Sequence, residues 1–221
     1  LHIRRTKPSF FKGLILLKNK VYIQNYMNKF KLLSLGLTLL VLFSCSSIKN
    51  QKKGAVQPER FNFETVFTTA KTVIVLPCKI DGATKNFLFD TGADFSLIQR
   101  DSTSGKTGSY GGASKRKMQL GTEYVKSMKI GDVEFENTFA GNGNLKGLKE
   151  QISNFGGIIG QPIIRKANWL IDYPNKKLRV SNENLVDKTF EKIIIKRTGG
   201  APYTYILING IEHKVLIDFG S

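Results

Sequence analysis

Two aspartates stand at the ends of matching stretches of this chain. Asp90 follows Phe87-Leu88-Phe89 and opens the small-residue turn Asp90-Thr91-Gly92-Ala93-Asp94, while Asp218 follows Val215-Leu216-Ile217 and precedes Phe219-Gly220. Pro77–Ala93 lies over Tyr205–Ser221 at an offset of 128 (218 − 90), with five of seventeen positions identical: Ile80/Ile208, Gly82/Gly210, Leu88/Leu216, Asp90/Asp218 and Gly92/Gly220. Equal spacing from turn glycine to aspartate makes this a candidate internal duplication. Carboxylates at the ends of equivalent strands can meet across a pseudo-two-fold axis. Like charges that close cannot both ionise, so the pair shares one proton. Such a pair can hold a water: the ionised carboxylate takes its proton as general base and the protonated one polarises a carbonyl. Each aspartate also has a plainer use, as a turn residue hydrogen-bonded to its own backbone.

The elements that must position these carboxylates read almost wholly as strands. Thr72–Ile80 and Lys85–Phe89 flank the hairpin signal Asp81-Gly82, and Phe95–Ile98 follows the Asp90 turn. The Gly/Ser-rich segment Asp101–Ser114, with Tyr110 its only aromatic residue, suits a loop better than a core. Tyr124–Ile130 and Val133–Phe139 alternate around Gly131-Asp132, and Leu145–Ile152 has a helical turn. In Gly156-Gly157-Ile158-Ile159-Gly160 the glycines permit close backbone approach, and Pro162 suits the first turn of a helix over Pro162–Ala167. Trp169–Tyr173 and Lys177–Val180 form a hairpin in which Trp169 is core and Asp172 structural. Polar Ser181–Lys188 reads as a linker. Beyond it, strands are expected over Glu191–Lys196 and Tyr203–Ile208, the latter turning at Asn209-Gly210.

Asp90-Thr91-Gly92-Ala93 after an apolar strand, with Ile158-Ile159-Gly160 further on, resembles the pepsin-like and retropepsin-like aspartic proteases. The resemblance covers roughly Thr72 to Val180 as one lobe and Phe190 to Ser221 as the start of another. It implies a mainly β fold, an acid-protease closed β-barrel lobe followed by the beginning of a second. It also implies Asp90 and Asp218 as the catalytic pair of an aspartic-type endopeptidase, with a polypeptide substrate and neither metal nor cofactor. In that family the residue after each aspartate bonds across to the opposite loop through a hydroxyl. Thr91 fits this, with Gly92 and Gly220 allowing close approach; Phe219 does not. Ile158, Ile159 and Gly160 would thread the loop made by the Asp90 turn, and Tyr110 would sit in a flap over the cleft, or in an ordinary hairpin. A homodimer of first lobes is the structural variant, and a non-catalytic envelope peptide-binding module that keeps the fold is the second function class.

The formal net charge of +17 is unevenly placed: residues 1–44 hold eight Lys or Arg and no acid, leaving 26 − 17 = +9 for the rest. No basic helix or Arg/aromatic interleaving accompanies it, so a nucleic-acid partner is not expected. From Met27 the chain reads MNKFK, then twelve uncharged residues, Leu32–Phe43, then Ser44-Cys45. This is a secretory leader, shorter than the ~20 apolar residues of a spanning helix, and Leu42-Phe43-Ser44-Cys45 resembles a bacterial lipobox with Cys45 as the acylated residue. The expected organisation is thus residues 1–26 as an upstream non-native extension, 27–44 as a lipoprotein signal peptide and 45–66 as a polar tether. Residues 67–183 form the first lobe, and 184–221 the start of a truncated second, so that in the one-chain reading the fragment as given would be inactive. The expected location is the bacterial cell envelope, held to a membrane by the lipid and facing the periplasm. Cys78, the other cysteine, reads as a buried free thiol, and His213 as a surface strand residue.

Overall fold

The computed structural model describes residues 46–111, 117–198 and 200–220. The leader and Cys45 lie outside the described residues.

The apolar triplet Phe87-Leu88-Phe89 organises the first repeat because it is covered on both faces. Strand β4 (Val73–Ile80) turns at Asp81-Gly82 into β5 (Ala83–Phe89). Side chains alternate across a strand, so Phe87 and Phe89 enter one apolar cluster with Ile74, Leu76 and Ile80, while Leu88 enters a second with Val75 and Leu97. After the Asp90 turn come β6 (Ser96–Gln99), β7 (Gly108–Gly111), and the long hairpin β8 (Lys117–Ile130) and β9 (Val133–Gly143). Strand β10 (Phe155–Ile159) then pairs parallel to β5 and antiparallel to β6. Pairings run from β4 through β5, β10, β6, β9 and β8 and return to β4, so these strands form a ring within one sheet. Phe135 and Ile159, both fully buried, fill the first cluster together with Met128 and Ile130.

Two short helices, α2 (Lys146–Lys149) and α3 (Gln161–Ile164), flank β10; α1 (Ser46–Gln51) opens the described chain. Strands β11 (Asn168–Asp172), β12 (Lys177–Ser181) and β2 (Asn62–Val66) make a three-stranded antiparallel sheet. Trp169 packs on Phe89 and Phe135 with ring centroids 5.0 and 6.4 Å away, and its indole N–H donates to the Ile164 carbonyl. The Asp172 carboxylate caps its own turn, accepting from Asn175.

Three expectations need correction. The stretch 45–66 is not a free tether: Gln51 is buried, β1 (Ala55–Gln57) pairs with β9, and β2 pairs with β12. Its polar composition hid alternate residues, such as Phe61 and Phe63, that pack against the core. Glu191–Lys196 is not a strand, since pairing starts only with β13 (Lys196–Thr198) and Ile193, Ile194 and Ile195 are exposed. Ser181 belongs to β12 and is buried, so the polar connection begins after it.

The second repeat copies the first in register. Strands β13, β14 (Ala201–Ile208) and β15 (Ile211–Leu216) form an antiparallel sheet of their own. In the first repeat β3 (Thr68–Ala70) pairs Thr68 with Val75, while β4 and β5 pair Val75 with Leu88 and Ile80 with Ala83. The second pairs Lys196 with Tyr203, Tyr203 with Leu216 and Ile208 with Ile211, each partner displaced by 128. Both hairpins turn with positive φ at the two central residues, 51° and 79° at Asp81-Gly82 and 53° and 79° at Asn209-Gly210. This is the turn that matches the twist of paired strands. Ile206 and Ile208 are exposed where their counterparts Cys78 and Ile80 are buried.

Candidate active site

The Asp90 turn takes its shape from the strand that passes behind it. Ile158 and Ile159 run alongside Leu88 and Phe89, and Ile158 also faces Leu97, so this segment lies between the two strands that flank the turn. The Asp90 N–H donates to the Ile159 carbonyl (3.0 Å), the Gly160 N–H to Ser96 Oγ (3.1 Å), and the Gln161 N–H to the Ala93 carbonyl (3.0 Å). A Cβ at Gly160 would stand 2.6 Å from the Phe95 carbonyl oxygen, so only glycine allows this approach.

Each carboxylate is held by its own turn and pressed against the glycine of the other. Asp90 Oδ1 accepts from the N–H groups of Gly92 (2.8 Å) and Ala93 (3.0 Å), and Asp218 Oδ1 accepts from Gly220 N–H (2.8 Å). A Cβ on Gly92 would lie 2.8 Å from Asp218 Cγ, and one on Gly220 would collide with Asp90 Cγ. The two side chains therefore meet, and Asp90 is pushed up to about 6, first by burial and then by the Asp218 charge beside it. The plainer reading, a turn aspartate bonded to its own backbone, describes half of what each does. It leaves out the contact between them.

Thr91 ties the two turns together. Its hydroxyl donates to the Ile217 carbonyl (2.7 Å) and accepts from the Phe219 N–H (3.0 Å). Phe219, its counterpart, returns no such bond from its side chain, and its ring is 40% exposed. Tyr110 lies in β7, opposite Met118 of β8, with its ring edge-on to Phe95 at 5.2 Å; the residues at the tip of that hairpin lie outside the described residues.

Sequence reasoning missed a second meeting point between the repeats. Asp94 Oδ1 accepts from Gly200 N–H (3.0 Å), and the Asp94 carbonyl accepts from Gln51 Nε2 (2.7 Å). Arg165 Nη1 donates to Gln51 Oε1 (2.8 Å), while buried Gln161 links the Thr91 carbonyl to Arg197. Only the placement of Asp94 and Gln161, each just beyond a recognised motif, could have hinted at this.

A mainly apolar recess of about 360 Å³, with Val73, Leu88 and Ile152 in its lining and Lys71 and Gln151 its polar members, reaches the second aspartate turn at Gly220. A larger one, about 470 Å³, takes no residue from either aspartate turn; its Arg100 is already bonded to Asp81 and Glu123. Cys78 is buried among apolar neighbours, and that burial pushes its thiol up, which leaves it without nucleophilic character. His213 is exposed on β15 opposite Ile206.

No family model and no curated protein matches this chain. Among solved structures it is similar to a retropepsin-like aspartic protease from Rickettsia conorii, with 17% identity and a TM-score of 0.41, over 58% of this chain and 95% of that one.

Proposed function

We propose that this chain carries the catalytic pair of an aspartic endopeptidase, built on an acid-protease closed-barrel lobe followed by a second, similar repeat. The observation that carries this reading is the reciprocal fit in which each turn glycine leaves room only for the opposite carboxylate. Two aspartates so placed share a proton and hold one water between them. The ionised partner takes a proton from the water, the protonated one hydrogen-bonds the peptide carbonyl, and attack gives a tetrahedral intermediate. Return of the proton to the leaving nitrogen then breaks the C–N bond. The roles belong to Asp90 and Asp218 jointly. A substrate side chain entering the recess beside Gly220 would be apolar.

The test is cleavage of a denatured protein by the full-length gene product across mildly acidic to neutral pH. Activity should fall as pH rises through about 6, where the pair loses its shared proton. Absence of cleavage at every pH would overturn the reading. It would favour a non-catalytic peptide-binding module, to which the missing side-chain bond at Phe219 also points. Full activity in Asp218→Asn would instead favour a homodimer of first lobes.

We further propose a lipid anchor on Cys45 in the bacterial cell envelope, facing the periplasm, on the strength of the leader and Leu42-Phe43-Ser44-Cys45. Fatty-acid labelling should mark the wild type and not Cys45→Ser; equal labelling of both would exclude that site.

A further inference from the structure

We propose that Gln161 and Arg197 are positioning residues, a hydrogen-bonded bridge that fixes the second repeat against the Asp90 turn and replaces the clamp that a hydroxyl at position 219 would supply. This rests on the Asp-pair reading above. Gln161 is fully buried directly after Gly160. Its Nε2 donates to the Thr91 carbonyl at 2.6 Å, and its Oε1 accepts from Arg197 Nη1 at 2.9 Å. A neutral amide is suited to this place because it gives and accepts at once; a carboxylate could not donate and an ammonium could not accept. Arg197 Nη1 also donates to the Gly200 carbonyl (3.2 Å), which stiffens the turn whose N–H bonds Asp94.

These bonds close a circuit through both repeats. Thr91 is gripped at its hydroxyl by Ile217 and Phe219, at the far end of the second repeat, and at its carbonyl by Gln161. Gln161 in turn is gripped by Arg197, at the near end of the same repeat. Between these ends run β14 and β15, so the hairpin that carries Asp218 is pinned at both extremities. The circuit is one-sided in the way the hydroxyl clamp is one-sided. Under the 128-residue offset Thr91 corresponds to Phe219, which lacks the oxygen, and Arg197 corresponds to Thr69, which has no guanidinium. One symmetric bond is missing and one asymmetric bridge is present.

The experiment is a double-mutant cycle in the full-length gene product, read by kcat, KM and the Asp90 titration midpoint from carboxyl carbon NMR. Arg197→Met should lower kcat by about tenfold with KM little changed, as for coupled neighbours. The Asp90 midpoint should fall as Asp218 moves off and water enters. Arg197→Lys, which keeps the charge but not the planar fork that reaches both Gln161 Oε1 and the Gly200 carbonyl, should recover only part of both, leaving its Asp90 midpoint below wild type. In a Phe219→Thr background, where the reciprocal hydroxyl is restored, the same Arg197→Met change should cost less than about threefold. Equal losses in the two backgrounds, or an Asp90 midpoint unmoved by Arg197→Met, would overturn the bridge. Should Arg197→Met not fold, the midpoints of Arg197→Lys and Phe219→Thr/Arg197→Lys decide the matter: the first must drop and the second must not. If the wild type cleaves nothing, the peptidase reading falls, while the NMR midpoints still test the bridge.

Discussion

Asp90→Asn is expected to lower peptide hydrolysis by the full-length gene product by about 10²–10⁴-fold, the usual worth of a positioned acid or base, and to make the fold more stable at neutral pH. The second half separates a working carboxylate from a structural one. Burial and the nearby Asp218 raise Asp90 from 3.8 to about 6 in the folded protein. A raised carboxyl favours the protonated fold, so its contribution is fully present below 3.8 and is lost as pH rises through about 6. At neutral pH the wild type therefore holds two carboxylates together at a cost that the variant avoids. Asn keeps an oxygen for the Gly92 and Ala93 N–H groups, so the turn itself survives. Urea unfolding should give Asp90→Asn the higher midpoint at neutral pH, with the gap closing in acid. A variant that is less stable at neutral pH would make Asp90 a structural turn residue.

Gly220→Ala should cost about 10²-fold in kcat, the loss that follows when reacting groups are displaced by an ångström or so. The new methyl would collide with Asp90 Cγ, and the carboxylate must swing away from its partner to admit it. Gly92→Ala makes the mirror-image intrusion, 2.8 Å from Asp218 Cγ. Gly147 is the control, because a Cβ there meets nothing within 4 Å and Ala suits its helix. Gly147→Ala should match wild type in kinetics. If Gly220→Ala also matches it, the carboxylates are not in the contact described.

Much of this arrangement was legible in the sequence because it is written in local, repeating signals. Turn glycines, β-branched runs and the 128-residue offset located both hairpins, and Gly156 to Gly160 announced a strand under steric constraint. Trp169, Cys78 and Asp172 behaved as their neighbours suggested. The knot of Gln51, Asp94, Gln161, Arg197 and Gly200 was not legible, because polar residues distant along the chain leave no periodic trace when they converge. Phe219 was read correctly as lacking a hydroxyl, but its backbone N–H still reaches Thr91, a contact that depends on no side chain. Ile193, Ile194 and Ile195 resemble a strand in composition but are exposed, and ladder pairing with β14 begins only at Lys196. β-propensity expresses the fit to a partner surface more than a backbone preference.

The shared register of the two hairpins sets where this chain can tolerate changes of length. Side chains alternate with a period of two, so one residue added to or removed from β4, β5, β14 or β15 would exchange inward for outward positions and turn an aspartate away from its counterpart. The segment 182–195 contains no strand and is largely exposed, and it can absorb insertions without touching either pleat. Insertions and deletions should therefore be tolerated far better in the stretch joining the repeats than inside the hairpins that carry the aspartates, where only substitution leaves the pleat intact.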